Sequence, residues 1–242
     1  LQVASPETAP ATRAPWHAYL PMWLMSAPAM LLFVALVLIP LLMTLALTFY
    51  QFDPSSGPIA AFQFGNYAEV LSDAYFHTIF LRTFGISLTV TAVCAVVGTF
   101  EAYVLSRMGD PWRSLFLLVI LSPLLVSIVV RAFGWSMLLG SGGLINQTFG
   151  LLGMGPYKLE YTHFAIIVAL VHVMLPFMVI PVWTSLQRLD PQTENAALSL
   201  MASPATTLRR IVLPQLVPGI LSGSLMVFGL SASAFAIPSL LR

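Results

Sequence analysis

Three ionisable residues, Glu101, Arg131 and His172, lie inside long apolar stretches of this 242-residue chain. Such groups are costly at membrane depth and face a bundle interior or a water-filled path. A carboxylate at Glu101 can help a cation leave, or it can snorkel to the headgroups and pair with a base. Arg131 can order a gate near the end of its stretch, or bond to helix-end carbonyls. His172 stands four residues before Pro176, so it can line a path or donate to the carbonyl that the proline leaves free. Phe133, Trp135 and Phe177 can cage an organic cation by cation–π contact, or simply pack. This is the chemistry of passage, not of bond breaking. The chain has no Gly-x-x-x-x-Gly-Lys-Ser/Thr loop, no His-Glu-x-x-His and no Gly-x-Ser-x-Gly. Its single cysteine, Cys94, rules out a disulfide framework and a cysteine metal cluster. The expectation is no catalytic residue and no metal.

The elements that carry these residues are membrane spans. The chain is 58% hydrophobic and 8% charged, with a mean hydropathy of +0.90. Soluble domains carry about 25% charged residues. Apolar runs near 22–50, 78–105, 114–139, 162–186 and 218–237 are each long enough for a core of roughly 30 Å. Pro28, Pro40, Pro123, Pro176 and Pro181 fall within them and predict kinks. Residues 1–18 are polar and Pro-rich and read as a disordered tail. Residues 19–242 read as one transmembrane domain.

Basic residues set the orientation. With the N-terminus in the cytoplasm, the inner segments hold Arg13, Arg107, Arg113, Arg188, Arg209 and Arg210; the outer ones hold Arg82 and Lys158. Trp16, Tyr19 and Trp23 then mark the inner interface of the first span, and Phe49, Tyr50 and Phe52 the outer one. Five spans would leave the C-terminus outside.

Between the fourth and fifth runs lies a polar insert at 188–219, RLDPQTENAALSLMASPATTLRRIVLPQLVPG. Asp190-Pro191 and Ser203-Pro204 each read as an N-cap followed by proline at the first helical position. Two short helices are expected, the first over 191–201, with a turn near Ala202. Leu213 precedes Pro214 and is biased away from the helical region. Pro218-Gly219 should punctuate the start of the next span.

The insert resembles the EAA loop of permease subunits of bacterial ABC importers. That pattern runs Glu-Ala-Ala, three residues, Gly, then Ile-x-Leu-Pro. Here Asn195-Ala196-Ala197 takes the Glu-Ala-Ala positions with Glu194 just before, and Met201 stands at the Gly. Ala202, Ser203, Pro204 and Arg209 follow, and Ile211, Leu213 and Pro214 close the pattern. Met201 would cost on the order of 1 kcal/mol or more if its turn is left-handed. Glu194 points about 100° away from Asn195 around the helix. ALVHVMLPFMVIPVWTSLQRLDP and VVRAFGWSMLLGSGGLINQTFGLLG further resemble the spermidine/putrescine branch. Glu101 stands in Gly98-Thr99-Phe100-Glu101-Ala102-Tyr103, where that family has roughly Gly-Tyr-Pro-x-Ala-Tyr.

The resemblance implies an all-α, polytopic fold: a type I ABC importer transmembrane domain with five spans visible of an expected six. It implies a non-catalytic permease subunit of the inner membrane, moving a polyamine or similar cation by alternating access. Related branches carry opines, amino-acid derivatives, thiamine or ferric iron. A channel or scaffold whose loop binds another cytosolic protein is the reading from another class. The implied partners are two ATPase subunits, which bind the ATP and Mg, a second homologous permease, a periplasmic solute-binding protein and the lipid bilayer. No nucleic acid is implied. The segments 53–77 and 140–161 would receive the solute-binding protein. The turn at Asn195–Ala197 would enter a groove on the ATPase, so bulk at Ala197 should disturb that contact.

Overall fold

A computed structural model describes residues 20–53, 57–59, 63–155 and 157–234. The tail at 1–18, including Trp16, and the end of the fifth run beyond 234 lie outside the described residues, as does Tyr19. The chain divides into two compact units, Leu1–His77 and Thr78–Arg242.

In the first unit, α1 (Leu20–Leu47) runs through Pro28 and Pro40. Its large apolar side chains from Leu24 onward are exposed on every side. A helix apolar all round belongs in lipid or a large core rather than at a water interface. Two three-residue strands follow, β1 (Gln51–Asp53) and β2 (Gly57–Ile59), paired antiparallel. Next comes α2 (Gly65–Ser72). It is held to the end of α1 by Asn66 Nδ2, which donates to the carbonyls of Thr48 at 2.9 Å and Tyr50 at 2.8 Å. The rings of Phe49 and Phe64 meet edge to face at 5.5 Å. The all-α architecture expected from the sequence holds, with this small hairpin added.

Helix α3 (Ala74–Arg107) starts in the first unit and continues into the second. Asp73 caps it, accepting from the Tyr75 N–H at 2.8 Å. Its 34 residues give a rod of about 51 Å, longer than a bilayer core. It is long enough to reach beyond the hydrocarbon.

The second unit continues with α4 (Trp112–Leu125), α5 (Ile128–Leu139), α6 (Leu144–Leu151) and α7 (His163–Gln187). After them come α8 (Pro191–Ser199), α9 (Pro204–Thr207), a π turn at Leu208–Val212 and α10 (Leu213–Ser233). α7 forms the centre. Ile166, Leu170, Val173, Met174, Met178 and Val182 are all buried, at the three- and four-residue spacing of one helix face. α7 packs chiefly on α10 and also meets α4 and α5. Small residues permit the closest approaches. A Cβ on Gly223 would lie 3.2 Å from Met178 Cα, and one on Gly98 would lie 2.7 Å from Met178 Cγ. Met178 thus fills the gap between two glycine notches, one on α3 and one on α10. Gly219 and Gly223, one turn apart, form the small-residue stripe that lets membrane helices touch backbone to backbone.

Five helical stretches are long and apolar enough to cross a membrane: 24–47, 74–107, 128–151, 163–187 and 204–233. Two boundaries differ from the sequence reading. The run at 114–139 is not one helix: α4 ends at Leu125, and Val126 and Ser127 have extended backbones. At 14 residues, α4 is too short for a core of about 30 Å, and α5 reaches spanning length only together with α6. Pro123, inside α4, leaves the Val119 carbonyl without its helical donor. The Ser122 hydroxyl fills that role at 2.8 Å. The break also frees the Pro123 carbonyl, which accepts from Arg131 Nη1.

The second difference lies at the far end of the insert. Leu213 is helical, at φ −56° and ψ −43°, and Pro218 and Gly219 sit inside α10. The π turn shifts the hydrogen bonds by one residue, so that the Leu213 N–H reaches the Leu208 carbonyl. The widened turn absorbs the missing donor and the ring of Pro214. The second short helix is therefore the first part of the fifth span, not a separate surface element.

Candidate functional site

The insert folds as its caps dictate. Asp190 accepts from the Gln192 N–H at 2.9 Å and starts α8. Ser203 accepts from the Thr206 N–H at 3.2 Å and starts α9. α8 stops at Ser199, two residues short of the expected 201. Its end is a Schellman motif. The Ala202 N–H bonds to the Ala197 carbonyl at 3.1 Å and the Met201 N–H to the Leu198 carbonyl at 3.0 Å. Met201 has φ +63°, so the left-handed turn is present, at a position where glycine is the usual residue.

This turn makes an unusual surface. Asn195 and Ala196 are exposed, as are Ser203, Pro204, Arg209 and Pro214, while Ala202 and Leu213 are half-buried. Leu200 is 83% and Met201 95% exposed, and Leu198 is exposed beside them. Ala197 is only 8% exposed and lies on the inward face of α8, so bulk there would press on the protein's own packing, whereas Asn195, Ala196, Leu198, Leu200 and Met201 face outward.

Glu194, turned away from Asn195 around the helix, points back into the molecule. Its carboxylate forms an ion pair with Arg107 at the end of α3. The Arg107 guanidinium lies 4.9 Å from the centroid of the Tyr103 ring. Both charges suit their helix ends: an anion in the first turn of α8, a cation in the last turn of α3. The sequence reading had missed this pair. The available signal was a base closing one span and an acid opening the insert.

The residues at membrane depth are only partly brought together. Trp135 Nε1 donates to His172 Nδ1 at 3.4 Å, and the two rings meet edge to face at 5.7 Å. His172 thus links α7 to α5. Arg131 binds the Pro123 carbonyl at the break, which is the helix-end role. Phe133 is 58% exposed and Phe177 packs against the core. Among the described residues no ring contact joins either of them to Trp135. Glu101 is half-buried and has no hydrogen bond or ion pair among the described residues. Beyond α5 the chain is stiffened by Asn146. Its side chain donates to the carbonyls of Gly140 at 2.9 Å and Tyr157 at 3.0 Å, and accepts from the Tyr157 N–H at 2.9 Å. Ser136 donates to Glu160 at 2.6 Å.

Among the described residues no group of His, Cys, Asp and Glu is arranged to hold a metal. No family model matches the chain. The spermidine/putrescine transport system permease protein PotB of Salmonella typhimurium (strain SL1344) is 31% identical over 210 residues, covering 86% of this chain and 73% of that protein. PotB of Escherichia coli (strain K12) is also 31% identical over 210 residues and is covered to 76%. The inner membrane ABC transporter permease protein YdcU of the same E. coli strain is 28% identical over 178 residues, 68% of this chain and 57% of that protein. Among solved structures, a bacterial ABC transporter that imports the acidic polysaccharide alginate superposes with a TM-score of 0.69 at 16% identity, over 90% of this chain and 77% of its own. The same kind of transporter in complex with an alginate pentasaccharide-bound periplasmic protein gives 0.64 at 17% identity, over 85% and 71%. At that identity the superpositions speak for the fold.

Proposed function

This chain belongs to the spermidine/putrescine transport permease family of ABC importers, and we propose that it moves a polyamine or similar small organic cation inward across a bacterial inner membrane. The observation that carries the coupling half of this reading is the tip of α8. Leu198, Leu200 and Met201 expose large apolar side chains on a turn bounded by polar residues. Burying one such side chain is worth roughly 1.5–3 kcal/mol. A rigid turn offering three of them suits a groove on a partner.

That partner is one of two ATPase subunits, which carry the ATP and Mg; this chain is the non-catalytic member. A second homologous permease completes the pathway, and a periplasmic solute-binding protein meets the segments at 53–77 and 140–161. The basic residues put the N-terminus and α8 in the cytoplasm. ATP-driven closure of the ATPases would move α8, and α8 is continuous in chain with α7 and α10, the best-packed pair of the bundle. Their rocking exposes the cavity to each side in turn. Glu101, unpaired on the inner half of α3, offers a carboxylate to the departing cation, and Arg131 keeps to its carbonyl, away from a ligand of like charge.

The test is reconstitution of the complete importer in liposomes with labelled spermidine outside. ATP- and receptor-dependent accumulation is expected. Failure of the ATPase to copurify contradicts the importer reading. Uptake confined to solutes that are not small organic cations contradicts the substrate class.

A further inference from the structure

The ion pair between Arg107 and Glu194 spans 87 positions of sequence. Among the described residues it is the only hydrogen bond or ion pair that joins α8 to a transmembrane helix. α8 is covalently continuous with α7 and α9, and it packs on α9 and the π turn. Beside the pair lies a cavity of about 160 Å³, lined by polar Ser106, Asp190, Thr193 and Gln215 and by apolar Leu189 and Ile211. Among the described residues the ion pair is thus the polar link between α8 and α3.

We propose that Arg107 and Glu194 are positioning residues that make α3 follow α8, so that a displacement delivered to the coupling turn reaches a third helix to which α8 has no direct chain connection. The arrangement fits that role. Arg107 is the last residue of α3 and Glu194 stands in the first turn of α8, so the pair ties helix end to helix end. Tyr103, one turn back on α3, lies under the guanidinium and fixes its direction. The side chains are 48% and 26% exposed, and pairs of that exposure add little to stability. Losing the pair should spare folding and disturb transmission. α3 carries Glu101 and the Gly98 notch against Met178, so its position bears on both the path and the core.

This inference rests on the importer reading, and the test separates the two. Arg107→Glu, Glu194→Arg and the double exchange are made in the complete importer in liposomes. Spermidine uptake per ATP hydrolysed and the ATPase retained on purification are measured together. Each single variant should keep its ATPase and lose about fivefold or more in uptake per ATP, the size of a modest coupling energy. The double variant should recover a clear part of the loss, the mark of a direct pair, and stop short of native because each exchanged charge opposes its helix end. A single variant that does not reach the membrane is replaced by Glu194→Gln, with the same expectation. Single variants at the native ratio, or a double variant as poor as the singles, overturn the link. A native complex that fails to retain ATPase or to drive uptake overturns the importer reading, and the link falls with it.

Discussion

The α7–α10 interface and the tip of α8 lie close in sequence but are built on opposite terms. At the interface, Gly219 and Gly223 let backbones approach, and Met178 and Leu216 are fully buried. At the tip, large apolar side chains point outward and a methionine takes a backbone conformation better suited to glycine. The first region gains its stability within the chain. The second holds its geometry through caps and a Schellman turn and leaves its apolar groups unused. On the proposed importer reading a surface of that kind awaits a partner, and the closely packed pair of helices is what such a handle would move; among the described residues nothing covers its outer face.

The contrast is tested most severely at the glycine notch. Gly219→Leu would drive a side chain into the Pro181 carbonyl, which even a Cβ would approach to 2.9 Å. Overpacking of this kind costs about 1–3 kcal/mol, and more where backbone must move. Little folded permease should be recovered from the membrane, as judged by monodispersity in detergent. Normal recovery would show that α7 and α10 are not held at close range. At the tip the outcome should invert. Leu200→Asp should leave recovery unchanged and weaken ATPase retention by about tenfold or more, the equivalent of losing roughly 1.5–3 kcal/mol of apolar burial. Poor recovery of this variant would mean that Leu200 belongs to the fold and not to an interface.

The smallest effect is expected at Met201. A left-handed residue other than glycine costs roughly 1–2 kcal/mol, and glycine brings back about 0.5–1 kcal/mol of chain entropy. Met201→Gly should therefore stabilise the isolated permease by at most about 1 kcal/mol, raising its thermal midpoint slightly. Because it also removes an exposed apolar contact, it should slightly loosen ATPase retention. A lowered midpoint would show that the methionine side chain supports the turn.

Much of this was legible in the chain itself. The caps at Asp190 and Ser203 and the left-handed turn at Met201 are local chemistry, settled by a few neighbouring residues. The apolar runs are a property of composition. What escaped was set at longer range. Gly219 reads as punctuation after Pro218, yet it serves as a notch for α7, and only the facing helix makes that so. Leu213 is helical against its local preference because the π turn accommodates Pro214. The break at Val126–Ser127 needs Arg131 to satisfy the carbonyl it frees. The inward turn of Ala197 and the pairing of Glu194 with Arg107 depend on how α8 is rolled against the bundle, which helical periodicity alone leaves open.

The central claim is that the outward face of α8 meets the ATPase, and site-directed crosslinking measures it directly. Cys94, the one cysteine of this sequence, is buried, so an introduced thiol is the accessible one on this chain; the partner subunits are used in cysteine-free form. Ala196→Cys, on the exposed face of α8, is placed in the complete importer and treated with a short thiol-to-amine crosslinker, with Leu151→Cys on α6 as the comparison. A crosslinked product of permease and ATPase from position 196 and none from position 151 is the predicted result. Equal crosslinking from both positions, or none from position 196 in a complex that still transports, would contradict it.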